Sequence, residues 1–181
     1  MFVWFCRNIF KWKGWIIKNI IPKELKKFIV VVAPHTSNYD FFIGVAARDI
    51  LHVNTFYLAK KELFVFPFAG FFKRLGGFPV DRNNKTNLVD LMSKYFREEK
   101  EFSICVTPEG TRKYAPKWKT GFYRIAENTG VPLILLGIDY PSKSVTVHPP
   151  FYVTGNMEAD LENMMVFFRK MKGKNPENGV R

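Results

Sequence analysis

The feature of this sequence that most limits its fold is the uninterrupted apolar run "KFIVVVA" at residues 27–33. A strand with one solvent-exposed face alternates apolar and polar residues, whereas a strand that is buried on both faces is apolar throughout. Further strand-length segments occur at 54–60, 102–108 and 131–140, and helical patterns separate them. The alternation predicts a single α/β domain with a central, mostly parallel or mixed sheet flanked by helices.

The helical patterns are set by the spacing of apolar residues. Leu88, Leu91, Met92, Tyr95 and Phe96 recur at helical intervals and predict a helix over 85–100. The other predicted elements are helices at 37–51 and 120–129, a final helix marked by Leu161 to Met171, an aromatic helix or turn at 62–77, and extended pieces at 78–82 and 144–154. The core domain is expected at 28–172, followed by a flexible tail at 173–181.

The charge and composition of the chain limit the kind of protein it can be and the partners it can bind. Hydrophobic residues make up 47% of the 181 residues, which excludes a disordered chain, and the formal charge of +12 indicates an anionic partner. Nucleic-acid binding is an alternative suggested by this charge, but no helix-turn-helix, zinc-finger or ribonucleoprotein motif supports it. We therefore expect no nucleic-acid partner. The sequence predicts no particular oligomeric state.

Residues 1–27 concentrate the positive charge, with seven Lys or Arg against Glu24 alone. Arg7, Lys11, Gly14 and Lys18 fall on one helical face, and large apolar groups lie away from it. Cations recur too often for a spanning helix, and no signal-peptide pattern is present. The segment is expected to be an amphipathic helix in an anionic membrane interface, with Gly14 as the point where it could divide in two; the alternative is a helix docked on the core.

Polar residues follow two of the predicted strands at the point where each ends. His35 comes just after the run at 27–33, and Glu109 follows the strand at 102–108. Ligand sites in open α/β sheets gather at the carboxyl ends of strands, so the two should share one edge. A histidine there can act as a general base, with Asp40 fixing its tautomer.

Asp40 also has a purely structural interpretation. Ser37 followed by Asp40 imitates a capping box, in which the carboxylate serves only the start of the helix. The two roles are compatible, because a carboxylate on the first turn can still reach His35. His52 and His148 match no functional pattern and are interpreted as structural.

Several motifs in series extend the pattern around His35. They are H-x-S-x-x-D at 35–40, "KKEL" at 60–63, "GGFPVDR" at 76–82, "PEGTR" at 108–112 and "VPLILL" at 131–136. In this order and spacing the sequence resembles the glycerolipid acyltransferase family, which includes the lysophosphatidic acid acyltransferases. The resemblance covers roughly residues 30 to 140.

The resemblance implies an O-acyltransferase that moves a fatty acyl group from a thioester to a glycerolipid hydroxyl, most readily that of 1-acyl-glycerol-3-phosphate. His35 matches the family's general base and Asp40 its orienting carboxylate. The donor would be acyl-CoA or acyl carrier protein, used as a substrate, and no cofactor or metal is expected. The chain offers no convincing Ser or Cys nucleophile, since Cys105 lies inside an apolar strand.

The same resemblance implies an acceptor site. Lys60, Arg82 and Arg112 would bind the phosphate of a lysophospholipid, since Arg presents a planar fork to phosphate oxygens. Glu109, Gly110 and Thr111 match the family's acceptor-site motif. Nearby lysines, Lys119 among them, are interpreted as solvated surface cations.

Two departures from the family pattern leave the identity of the acyl acceptor undecided. Thr107 stands where an aromatic residue is usual, and Lys113 where a serine is common.

Thioester donors and the reducing environment suggested by Cys6 and Cys105 favour the cytoplasmic face of the inner membrane, with peripheral or monotopic attachment. The main alternative function is a non-enzymatic peripheral lipid-binding module.

Overall fold

The computed structural model describes residues 1–80 and 85–181. Its elements alternate between helices and strands, as the sequence predicts. In chain order they are α1 (Phe2–Trp12), β1 (Ile16–Lys18), β2 (Lys27–Ala33), α2 (Tyr39–Ile50), β3 (Phe56–Lys60), a 3-10 turn (Lys61–Leu63), α3 (Ala69–Arg74), β4 (Gly77–Val80), α4 (Lys85–Glu98), β5 (Phe102–Val106), α5 (Gly121–Thr129), β6 (Leu133–Asp139), β7 (Ser144–Val147), α6 (Met157–Phe168) and a 3-10 turn (Pro176–Asn178).

The strands of the described chain form one seven-stranded sheet in the order β1-β7-β6-β2-β5-β3-β4. The β6–β7 pair is antiparallel, and the other neighbouring pairs are parallel. This confirms the predicted single α/β domain with a mostly parallel, mixed sheet. β2 lies at the centre, between β6 and β5.

The apolar run of β2 is explained by cover on both faces of the sheet. Ile29 and Val31 point into a core formed with α4, α5 and α6, whereas Val30 and Val32 point into a second core formed with α1 and α2. Burial of apolar groups on both sides removes any advantage from polar residues in this strand.

The N-terminal segment is divided between a helix and a strand. α1 ends at Trp12, Gly14 takes a positive φ of 75°, and β1 pairs in parallel with β7 at the edge of the sheet. Residues 16–18 therefore belong to the sheet, although the sequence places the domain boundary at residue 28. The left-handed turn at Gly14 redirects the chain, so the segment divides at the residue where the sequence allows a division, and its second part is a strand.

α1 packs on the domain and also keeps an exposed apolar side. Cys6 and Phe10 are buried, and Arg7 forms an ion pair of 3.1 Å with Asp49 of α2. Trp4 and Trp12 remain 59% and 79% exposed. Arg7 is therefore engaged with the protein, whereas the sequence analysis assigned it to a membrane-facing cationic stripe. None of the helices in the described ranges has the length and apolar character needed to cross a bilayer.

The segment after α6 packs on the domain, in contrast to the flexible tail that the sequence predicts. The backbone N–H of Asn175 donates to Thr36 Oγ1 at 3.2 Å, and its side-chain Nδ2 donates to the Thr36 carbonyl at 2.8 Å. Asn178 Oδ1 accepts from the backbone N–H of Tyr114, and Val180 packs against the core. These contacts explain why a polar, Gly-containing segment is held in place.

Candidate active site

The carboxyl ends of β2 and β5 bring His35 and Glu109 together. The two strands are parallel neighbours, with Val31 opposite Val106, so the loops that follow them leave the sheet side by side. The carboxylate of Glu109 accepts from the backbone N–H of His35, with distances of 2.9 and 3.2 Å to its two oxygens. Glu109 is buried and joins the two motif loops.

The side chains of His35 and Asp40 form the predicted pair. His35 Nδ1 lies 3.1 Å from Asp40 Oδ2, and the imidazole is 23% exposed while the carboxylate is only 2% exposed. A carboxylate at Nδ1 fixes the proton on that nitrogen, which leaves the Nε2 lone pair free to accept a proton. The arrangement suits a general base.

Asp40 is fully engaged by donors on both of its oxygens. Oδ2 also accepts from the backbone N–H groups of Thr36 and Ser37, each at 2.9 Å, and Oδ1 accepts from the Tyr140 hydroxyl at 2.6 Å. The bond from the Ser37 N–H is the carboxylate half of the predicted capping box, whereas Ser37 Oγ accepts from the Tyr39 N–H and not from that of Asp40. Asp40 therefore serves both the start of α2 and the orientation of His35.

The ionisation of the two buried carboxyls differs. Burial opposes ionisation of Asp40, but hydrogen bonds from His35, Tyr140 and the Ser37 backbone outweigh it, so the pKa of Asp40 lies below its usual range. Burial raises the pKa of Glu109 to about 7, despite the hydrogen bond from the His35 backbone. Asp40 is thus a stable anion, and Glu109 titrates near neutral pH.

The acceptor-site motif surrounds Glu109. Gly110 has a φ of +64°, and a Cβ there would lie 2.6 Å from Lys119 Nζ, so this lysine lies directly over the loop. Thr111 and Arg112 are exposed on the same loop. Lys119 is exposed, as the sequence predicts, and it also places a cation beside the motif.

The remaining predicted phosphate ligands are less fully described. Lys60 is the last residue of β3, whose carboxyl end lies at the same edge of the sheet as those of β2 and β5. Its side chain and all of Arg82 lie outside the described residues. The structure therefore brings together His35, Asp40 and Glu109 and leaves the full phosphate set as a prediction.

Cys105 behaves as its position in an apolar strand predicts. It lies in β5, and burial raises the pKa of its thiol to about 12. A thiol with that pKa is protonated near neutral pH and is a poor nucleophile.

Sequence reasoning missed two residues that contact the site, Tyr140 and Asn175. Tyr140 directly follows β6, the parallel neighbour of β2, so it reaches the same edge as His35. The strand-end rule that selected His35 and Glu109 could have selected Tyr140 too. No local pattern marks Asn175, which lies 139 residues from its partner Thr36.

Comparison with known proteins agrees with this geometry. A family model described as Acyltransferase matches residues 16–139. The crystal structure of the 1-acyl-sn-glycerophosphate (LPA) acyltransferase PlsC from Thermotoga maritima has a similar fold, with a TM-score of 0.67 and 20% sequence identity over 93% of this chain and 76% of that chain. Curated proteins gave no significant match. The match over most of the domain confirms the resemblance, and the chain belongs to the acyltransferase family.

Proposed function

We propose that this chain transfers a fatty acyl group from acyl-CoA or acyl carrier protein to the hydroxyl of a glycerolipid, with 1-acyl-glycerol-3-phosphate as the favoured acceptor. The observation that carries the proposal is the His35–Asp40 pair, in which a buried, fully hydrogen-bonded carboxylate orients a partly exposed imidazole. Family membership supplies the reaction class. The Thermotoga maritima protein of similar fold is described as an LPA acyltransferase, which supports the choice of acceptor.

In the proposed reaction, His35 Nε2 takes the proton from the acceptor hydroxyl as its oxygen attacks the thioester carbonyl. The tetrahedral intermediate collapses, the C–S bond breaks, and the thiolate leaves with the electron pair. The imidazolium then returns its proton to that sulfur. Asp40 stays ionised throughout and stabilises the imidazolium charge. The transfer is direct and uses no acyl-enzyme.

The acceptor phosphate is assigned to the cations of the motif loops. Arg112 and Lys119 lie on or over the loop that carries Glu109, and Lys60 and Arg82 are further candidates from the family motifs. A charge-assisted contact to phosphate is worth about 1.5–3 kcal/mol, so Arg112→Ala should mainly raise the KM for the acceptor. Equal use of acceptors with and without phosphate by the unmodified protein would contradict this assignment.

The test of the function is acyl transfer with identified products. Purified protein is given acyl-CoA or acyl carrier protein with a panel of lysolipid acceptors, and products are identified by mass spectrometry. Thioester consumption that depends on the acceptor distinguishes an enzyme from a lipid-binding module. His35→Ala should lower kcat by about 10² to 10⁴ while the thermal unfolding curve is unchanged. A folded His35→Ala protein with near-normal turnover would exclude His35 as the base.

We also propose attachment to the cytoplasmic face of a membrane, where lysolipid acceptors and thioester donors meet. Its support is the exposed apolar side of α1 together with the exposed cations Lys11 and Lys13.

A further inference from the structure

Tyr140 contacts the catalytic pair directly but lies one residue beyond the stretch matched by the family model. Its hydroxyl donates to Asp40 Oδ1 at 2.6 Å across 100 residues of sequence. The three donors on Oδ2, which are His35 Nδ1 and two backbone N–H groups, all come from the loop that carries the pair. Among the described residues, Tyr140 therefore ties Asp40 to the end of a different strand, β6.

The position of Tyr140 is itself fixed from several sides. Its ring meets the ring of Trp15 edge-on, with centroids 5.0 Å apart and an angle of 90°. Its backbone N–H donates to the Lys172 carbonyl at 2.9 Å, and its carbonyl accepts from the Lys143 N–H at 3.1 Å. A side chain held in this way presents its hydroxyl to Asp40 at little further cost in conformational entropy.

We propose that Tyr140 is a positioning residue for acyl transfer, which holds the Asp40 carboxylate in the plane and charge state that orient His35. The proposal rests on the proposed function of His35 as the base. With Oδ2 bound by its own loop and Oδ1 bound from β6, the carboxylate cannot rotate about its Cβ–Cγ bond without losing a hydrogen bond. The His35 imidazole, which is hydrogen-bonded to this carboxylate, is therefore held in one orientation as well.

The hydroxyl also acts on the charge of Asp40. Donation to Oδ1 favours the carboxylate and partly neutralises its negative charge. Without the hydroxyl, the pKa of Asp40 rises. The acid limb of the pH–rate profile should therefore move towards higher pH, because the carboxylate that orients the base is protonated sooner as pH falls.

The experiment compares Tyr140→Phe with a matched control. Tyr123→Phe removes a similar tyrosine–carboxylate hydrogen bond, 2.8 Å from Tyr123 to Asp160 in the core on the other face of the sheet. We expect Tyr140→Phe to lower kcat roughly tenfold, to leave the KM of both substrates within about twofold, and to move the acid limb upward. Tyr123→Phe should lower thermal stability without changing kcat or the pH profile.

A double-mutant cycle tests whether Tyr140 acts through Asp40. In an Asp40→Asn background, Tyr140→Phe should cost much less than its effect on the unmodified protein, because the group it positions is already lost. An equal loss in both backgrounds, or a Tyr140→Phe protein with unchanged kcat and pH profile, would overturn the proposal.

An NMR readout separates this inference from the proposed function. The titration midpoint of the Asp40 carboxyl, followed on its own ¹³C signal, should move to higher pH in Tyr140→Phe and stay in place in Tyr123→Phe. This measurement needs no substrate. If the midpoint shifts but the unmodified protein transfers no acyl group, the Tyr140 interaction is supported and the proposed function is contradicted. If the unmodified protein is active but the midpoint does not shift, the role of Tyr140 is contradicted.

Discussion

The two buried carboxyls beside His35 have opposite protonation tendencies because their hydrogen-bond donors differ in number. From donors in the described part of the chain, Asp40 accepts four hydrogen bonds and is held as an anion, whereas Glu109 shares one backbone N–H between its two oxygens. One donor does not compensate for burial, so the pKa of Glu109 rises to about 7. The loop junction that Glu109 forms is therefore sensitive to pH near neutrality.

This difference predicts how stability depends on pH. Between the ordinary carboxyl pKa of 4.5 and about 7, the unfolded chain has lost a proton that folded Glu109 keeps. The contribution of Glu109 to stability is thus complete below the lower value and lost as pH rises through the upper one, by up to about 3 kcal/mol. Glu109→Gln should remove this loss, so its melting temperature should fall less than that of the unmodified protein between pH 5 and pH 8.

The matched control for this prediction is Glu99→Gln, at an exposed position after α4. It should follow the pH dependence of the unmodified protein. If Glu109→Gln showed the same dependence as Glu99→Gln, Glu109 would not be the group that titrates.

Asp40→Asn is expected to be slow for a different reason. An amide at this position removes the charge that stabilises the His35 imidazolium, and its NH₂ group cannot accept from the donors around it. We expect a fall in kcat of at least tenfold with a small change in KM, measured by steady-state acyl transfer. Unchanged kcat would mean that Asp40 serves only the start of α2.

At the scale of elements, the segment after α6 completes the surroundings of the loop that carries His35 and Asp40. Asn175 bonds both the carbonyl and the hydroxyl of Thr36, whose N–H in turn donates to Asp40. Lys174 Nζ lies 3.3 Å from the centroid of the Tyr39 ring at the start of α2. The loop is thus bound by Glu109 from the loop after β5, by Tyr140 just after β6 and by Asn175 from this segment.

Asn175→Ala should therefore affect turnover as well as stability. Loss of the side-chain bond to the Thr36 carbonyl should cost about 1 kcal/mol of stability and lower kcat a few-fold, because the Thr36 peptide is less restrained. The control is Asn156→Ala, which removes a side-chain cap from α6 and should cost similar stability without changing kcat. The measurements are thermal unfolding and steady-state kinetics. Parallel behaviour of the two variants would show that the segment is only structural.

Much of the sheet was predictable because its signals are local. The residues of β2, β5 and β6 are almost all apolar, so their composition alone indicates that these strands are buried. The polar residues that follow these strands fall on one edge of the sheet because the strands are parallel. His35, Asp40 and Glu109 were predictable for this reason, and the family motifs supported them.

The elements that prediction missed depend on distant partners. β1 has only three residues and is a strand because β7 offers it an edge. The segment containing Asn175 is polar and broken by Gly and Pro, which is typical of a loop, and its position is set by hydrogen bonds to Thr36. Such long-range contacts cannot be predicted from the local amino-acid composition.

At the scale of the whole molecule, the two faces of the sheet carry different helices. α1 and α2 cover one face, and α4, α5 and α6 cover the other. The exposed aromatic residues of α1 are therefore on the opposite side of the protein from α6. Because β1 and the buried residues of α1 belong to the fold, deleting residues 1–21 would disturb the domain, and substitutions on the exposed side are the better test of membrane binding.

We expect the double substitution Trp4→Glu with Trp12→Glu to weaken binding to anionic vesicles strongly, while turnover on micellar substrate is retained. Indole rings favour the headgroup region, and carboxylates are repelled by anionic lipid. The control is Val166→Glu, an exposed apolar residue on α6. Co-sedimentation with vesicles measures the effect. Equal binding by all three proteins would place the membrane contact elsewhere.

The bonds between Thr36 and Asn175 also constrain the order in which the protein can fold. They join groups 139 residues apart, so closing them requires the intervening strands to be in place and the large loop between them to be compact. A chain emerging from the ribosome can form β2 and α2 long before Asn175 has been synthesised. The loop that carries His35 therefore reaches its final surroundings late, and a nascent chain with much of its sheet assembled still lacks the contacts that complete this loop.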